Sequence, residues 1–138
     1  MAIAYLSRRS VFSASHRLHS ADLSDAENVR LFGKCNSANG HGHNYVLEVV
    51  VRATINPKTG LVMNLVDLKQ AIDETVMKEM DHKHLNLDVA TFKNLNPTVE
   101  NMAVVIWQML EKKLASGLLF EVRLHETENN VAIYRGEK

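Results

Sequence analysis

The 138 residues predict an α+β fold: a four-stranded antiparallel sheet with two helices on one face. Three observations carry that expectation. Two long runs, 3–16 and 43–55, are rich in residues that suit a pleated surface. Two stretches, beginning near 65 and 98, repeat apolar residues every three or four positions. Two shorter apolar runs near the C-terminus are split by a tight-turn sequence.

Taken in order, residues 3–16 are the first strand. Ser24-Asp25-Ala26-Glu27 has the Ser-x-x-Glu form of a capping box, and so starts a short helix through Val29 and Leu31 that Gly33 ends. Residues 43–55 give the strongest strand signal in the chain, and Asn56-Pro57-Lys58-Thr59-Gly60 is a turn. A helix over 65–79 follows, with Leu65, Leu68, Ile72, Val76 and Met80 as its buried stripe. The next helix has Thr98 as its natural N-cap, after Pro97, and runs to Ser116-Gly117 with Met102, Ile106, Met109, Leu110 and Leu114 on its apolar face. The last strands are 118–127 and 130–135, joined by Glu128-Asn129-Asn130. A sheet covered on one face leaves its other face and two edges open. Joining copies of the protein would close both, so the pattern predicts a homo-oligomer.

Composition narrows the function. The length fits one domain over 1–138, and 46% apolar with 23% charged residues is ordinary for a globular protein. Sixteen basic residues balance sixteen acidic ones, against a general nucleic-acid binder. No apolar run approaches the roughly 18 residues of a membrane span, and the N-terminus lacks the order of a signal peptide. A single cysteine cannot form an internal disulfide, which suits a reducing, cytoplasmic location.

The chemistry concentrates in Cys35-Asn36-Ser37-Ala38-Asn39-Gly40-His41-Gly42-His43-Asn44. On a strand, His41 and His43 leave the backbone on one face. In the first strand, Phe12, Ala14 and His16 share a face, so pairing the two strands would bring three imidazoles together. Three histidines around a divalent ion point to zinc with a fourth position open to water or substrate. Two other readings stand beside it: Cys35 closes the shell as a fourth ligand, or the histidines are unrelated surface residues.

Seven motifs together resemble the 6-pyruvoyl-tetrahydropterin synthase family, particularly its animal members. They are Phe12-Ser13-Ala14-Ser15-His16, Phe32-Gly33-Lys34-Cys35-Asn36, residues 39–45, Val62-Met63-Asn64, Asp81-His82-Lys83, Thr98-Val99-Glu100-Asn101 and Glu126-Thr127-Glu128-Asn129-Asn130. They run in register from about residue 5 to 136. The resemblance implies the tunnelling fold, in which sheets of three subunits close into a barrel and two trimers stack as a hexamer. It implies a zinc lyase of tetrahydrobiopterin biosynthesis acting on 7,8-dihydroneopterin triphosphate. By the same resemblance His16, His41 and His43 are the metal ligands and Cys35 is the general base. Asp81 and His82 assist from a neighbouring subunit. Glu126 anchors the pterin, with Thr98 and Glu100 near the ring. Two positions depart from the animal pattern: Val99 where a second Thr is usual, and His84 where Asn is usual.

The residue types suit such a reaction. Zinc can act as a Lewis acid on the substrate's hydroxyls, a thiolate favoured by nearby positive charge can take a proton, and a carboxylate can pair with two pterin N–H groups. Lys34, Arg17, Lys83 and Arg9 are the cations available for the triphosphate. The sister 6-carboxytetrahydropterin synthase carries a motif resembling Cys-x3-His-x-His. The spacing here is Cys35-x5-His41-x-His43, the longer form. A non-catalytic pterin- or metal-binding oligomer would be marked by a missing base or relay residue, and Cys35, Asp81 and His82 are all present.

Overall fold

The computed structural model describes residues 2–138. Strand β1 (Ile3–His16) pairs antiparallel along its whole length with β2 (His41–Thr54), from Ile3 opposite Thr54 to His16 opposite His41. Between them lie helix α1 (Asp25–Phe32), a 3₁₀ turn (Gly33–Asn36) and a short loop. The capping box forms as read: Ser24 Oγ accepts from Glu27 N–H, and the Glu27 carboxylate accepts from Ser24 N–H.

Helix α2 (Leu65–Ile72) is capped by Asn64. It passes through a π-helical turn (Asp73–Met77) into α3 (Lys78–Met80). The expected helix is therefore present but not uniform. Thr75 Oγ donates to the Ala71 carbonyl at 2.7 Å, the back-bonding by which a hydroxyl competes with the main-chain ladder. Leu68, Ile72, Val76 and Met80 are fully buried as the stripe requires, whereas Leu65, at the helix start, is about half exposed (48%).

Among the described residues the sheet has five strands, not four, and is mixed, not purely antiparallel: β3 (Lys83–His84) runs parallel to β1 beside Ala14 and Ser15. Two residues are too few for an alternating pattern, and this strand falls in a stretch that reads as polar. Helix α4 (Leu85–Asp88) and a 3₁₀ turn (Ala90–Lys93) lead to α5 (Val99–Lys113), capped by Thr98. Strands β4 (Leu119–His125) and β5 (Val131–Tyr134) end the fold, and the sheet order is β3-β1-β2-β4-β5.

Alternate residues of the sheet and the inner faces of α2 and α5 form the core, with Phe12, Tyr45, Leu47, Val49, Leu68, Ile106 and Leu124 essentially inaccessible. Ile3, Tyr5, Val11, Val131 and Ile133 are exposed on the helix-free face. No helix among the described residues is long and apolar enough to cross a membrane.

Gly40 sets the point where the loop becomes β2. Its φ is +75°, and a Cβ there would stand 2.8 Å from the His16 carbonyl oxygen and 3.0 Å from His84 Nε2. Gly40→Ala should therefore cost at least about 1–2 kcal/mol from the left-handed backbone alone and displace the start of β2. Urea unfolding checks this, and an unchanged midpoint would contradict it.

Candidate metal centre and its surroundings

The β1–β2 register assembles the site. Ala14 lies opposite His43 and His16 opposite His41, so all three imidazoles project from one face at one end of the ladder. Their ring centroids are 4.8 Å (His16–His41), 5.3 Å (His16–His43) and 4.8 Å (His41–His43) apart. One nitrogen from each lies within 4.8 Å of the others.

Protonation states follow from the neighbours. His16 is inaccessible, and its Nδ1 lies 2.7 Å from the Pro97 carbonyl, which can only accept; Nδ1 therefore carries the hydrogen and Nε2 keeps its lone pair. Burial, set against that raising bond, pushes the His16 pKa down to about 4, with His41 and His43 lowering it further. His41 is also held below the ordinary value, first by burial and then by His43. Imidazoles held uncharged in this way, as His16 and His41 are, keep lone pairs for a cation. His16 Nε2, His41 Nδ1 and His43 Nε2 are each buried with no hydrogen-bond partner among the described residues. Enclosed acceptors without partners are costly, and a divalent cation would satisfy them. The trio therefore fits a metal, and an all-imidazole set suits a transition ion such as zinc, copper, iron or nickel. Cys35 is not in this group, so the residues that could hold a metal ion are the three histidines, with the thiol outside them.

The other residues singled out by sequence lie around the trio as follows. Cys35 sits half-buried on the 3₁₀ turn, and its carbonyl accepts from Leu18 N–H at 2.9 Å, which ties the turn to the end of β1. Glu126 follows β4, with Oε2 3.8 Å from His16 Nε2. Tyr45, beneath the trio, has its hydroxyl 3.4 Å from His16 Nδ1; burial, with Glu126 and Cys35 adding to it, raises its pKa and keeps the phenol protonated.

Asp81 and His82 lie beside β1 on the side away from β2. Asp81 Oδ1 accepts from Ser13 N–H at 3.0 Å and lies 2.9 Å from His82 Nδ1. The Ser13 bond first, and then His82, hold Asp81 below the usual carboxylate range. His82 donates its N–H to the Ser13 carbonyl, has φ of +63° and is 83% exposed at its side chain. A left-handed backbone on a non-glycine residue is a strained conformation of the kind found at functional sites. Thr98 spends its hydroxyl on capping α5, accepting from Asn101 N–H at 3.1 Å. Glu100 is exposed in the first turn of α5 and makes no hydrogen bond among the described residues.

Two supports of the site carry no sequence signal. One is the Pro97 main-chain carbonyl. The other is Asn36, whose amide donates to the Leu18 carbonyl at 2.7 Å and whose own carbonyl accepts from Arg17 Nε at 3.0 Å.

Fold and site together define an α+β protein with three histidines placed so that they could hold a metal ion, and comparison with known proteins places it more closely. The profile of the 6-pyruvoyl tetrahydropterin synthase family matches residues 5–137, and the chain belongs to that family. It is 54% identical over 134 residues to a human protein named 6-pyruvoyl tetrahydrobiopterin synthase, covering 97% of this sequence and 92% of the human one. It is 52% identical to the Drosophila melanogaster protein of that name, covering 97% and 80%. The solved structure of Caenorhabditis elegans 6-pyruvoyl tetrahydropterin synthase superposes with a TM-score of 0.95 at 42% identity, covering 99% and 98%. The protein is thus an enzyme of tetrahydrobiopterin synthesis.

Two outcomes follow from the geometry. His43→Ala should lower the affinity for one zinc ion per subunit by more than the roughly 10–100-fold that changes around the ligands cost; calorimetric titration measures this, and an unchanged affinity would contradict the ligand set. The metal-free protein should lose stability on acidification. The folded His16 pKa of about 4 lies below the unfolded 6.5, so the unfolded state binds more protons between them. The contribution is fully present above pH 6.5 and is lost as pH falls through about 4, on the order of 3 kcal/mol in total. Urea unfolding of the metal-free protein at a series of pH values checks the sign, and stability rising toward pH 4 would contradict it.

Proposed function

We propose that this protein is a zinc-dependent lyase that converts 7,8-dihydroneopterin triphosphate to 6-pyruvoyl-tetrahydropterin and triphosphate. The observation that carries the proposal is the three-histidine group, converged, unpartnered among the described residues and without the thiol. The names of the relatives support the same activity.

His16, His41 and His43 would hold the zinc, which supplies Lewis acidity toward the hydroxyl oxygens of the substrate's three-carbon arm. Glu126 accepts two parallel hydrogen bonds from the amino and ring N–H groups of the pterin, with its carboxylate already beside His16. Cys35, outside the trio on the 3₁₀ turn tied to the end of β1, serves as the base that takes a C–H proton from that arm. Asp81 holds the His82 ring, as a carboxylate orients a catalytic imidazole, and this pair assists proton transfer. Thr98 and Glu100 form the adjacent wall near the ring. As triphosphate leaves, the arm is left with one carbonyl and a methyl group; the second carbonyl forms as two hydrogens pass from the arm to the C6–N5 double bond of the dihydropterin ring, so no external redox cofactor is required.

The Asp81–His82 pair stands on the outer side of β1 with its imidazole exposed, which favours service to a neighbouring subunit's site. Closure of three sheets into a barrel, and stacking of two barrels as a hexamer, would provide that neighbour. The exposed apolar residues of the helix-free face, Ile3, Tyr5, Val11, Val131 and Ile133, support such closure. A cytoplasmic enzyme agrees with the lone unpaired cysteine.

Cys35→Ala should keep its zinc while turnover falls by about 10²–10⁴-fold, the range for loss of a positioned base. Loss of zinc with it would make Cys35 a ligand. Separately inactive Cys35→Ala and His82→Ala proteins, dissociated and reassembled together, should recover activity, because some sites then combine an intact Cys35 with a neighbour's intact His82. Mixtures that stay inactive would remove the shared relay.

A further inference from the structure

Beside the histidine trio, on the Pro97 side, lies a cleft of about 830 Å³ that the chemistry above does not use. Pro97, whose carbonyl takes the His16 Nδ1 hydrogen, forms part of its wall, and so does His84, which packs against Gly40. The charge in that wall is one-sided. Arg17 and Lys93 are permanent cations, His19 and His84 add imidazoles, and Asp22 is the one carboxylate in the wall among the described residues. Asn39 is one of several amide groups that complete it. A wall of guanidinium, ammonium and N–H donors suits a ligand with many anionic oxygens.

Two of these groups are held in place by one residue. Asn36 is buried next to Cys35; its carbonyl accepts from Arg17 Nε at 3.0 Å, and its amide nitrogen meets His19 Nδ1 at 3.0 Å. With Nδ1 accepting the amide hydrogen, neutral His19 carries its own hydrogen on Nε2. Arg17 keeps both Nη groups without a protein acceptor among the described residues. Both therefore retain donors for a ligand. Of the four cations that the sequence offers for a triphosphate, only Arg17 lines the cleft. Arg9 stands on the helix-free face, opposite Glu48, and Lys34 and Lys83 are outside the wall.

The order of groups also fits. Glu126 lies near His16 Nε2, whereas the cleft begins at the Nδ1 edge of the same ring. The trio thus lies between a carboxylate and a cationic cleft, with Asn39, two residues before His41, in the cleft wall. We propose that this cleft, with Arg17, His19 and Lys93 in its wall and Asn36 fixing the first two, is the subsite for the substrate's triphosphate. The inference rests on the lyase activity proposed above only for the identity of the polyanion.

The test is calorimetric titration of inorganic triphosphate into the zinc-loaded protein. Lys93 is exposed and makes no side-chain hydrogen bond among the described residues, so Lys93→Glu is the deciding variant. Arg17→Ala also gives up the bond to Asn36 and serves as the second. Each should bind inorganic triphosphate at least about tenfold more weakly, with affinity in the parent falling as salt rises. Zinc content and binding of unphosphorylated 7,8-dihydroneopterin should stay at the parent level. Parent-like triphosphate affinity in both variants, no binding by the parent, or equal weakening for the unphosphorylated pterin would overturn the subsite. The two proposals fail separately. A protein that turns over no substrate yet loses triphosphate affinity in Lys93→Glu keeps the subsite and loses the lyase activity. Normal turnover with an unchanged KM in Lys93→Glu does the reverse.

Discussion

The register of β1 against β2 is the constraint on which the rest of the molecule depends. All fourteen residues of β1 are paired, and the same alternation that buries Phe12, Ala14, Tyr45 and Leu47 sets His16, His41 and His43 on the buried face. A slip of one residue would turn either strand's apolar set to the other side. The energy that fixes the ligands is therefore the energy of the core, and the site needs no separate scaffold. Histidine on that face is unfavourable by itself: His16 is fully enclosed, its charged form is strongly disfavoured and its Nε2 has no partner among the described residues. The fold carries that cost to keep three imidazoles converged.

Around the ladder, main-chain groups and one amide do the positioning. Pro97, from the segment before α5, fixes the His16 tautomer through its carbonyl. Leu18 N–H and the Cys35 carbonyl join the end of β1 to the turn that carries the thiol, and Asn36 fastens the same turn to Leu18, Arg17 and His19. The thiol and the cationic cleft thus share one anchor, so the turn and the cleft wall are placed together. On the other side of β1, Ser13 uses both main-chain groups to hold Asp81 and His82. One strand consequently serves two chemical groups that face different ways.

Much of this was legible in residue patterns. Alternation gave the long hairpin, and with it the meeting of His16 with His41 and His43; the Ser24–Glu27 box and the Thr98 cap located two helix starts. What escaped had no periodic or compositional signal. Strand β3 is two residues long, the π turn depends on the Thr75 hydroxyl, and Leu65 lies at a helix end where the core has not begun. Pro97 acts through its carbonyl, which every residue possesses, and Asn36 acts on partners 17–19 positions away. Roles for Cys35, Asp81, His82 and Glu126 came from resemblance, because a thiol, an exposed histidine or a lone carboxylate announces no chemistry by spacing alone.

The most direct measurement is a mass spectrum of the pterin formed when the folded, zinc-loaded protein meets 7,8-dihydroneopterin triphosphate. The lyase proposed above predicts a 6-pyruvoyl product and released triphosphate. A 6-carboxy product with acetaldehyde, or unchanged substrate, would contradict it.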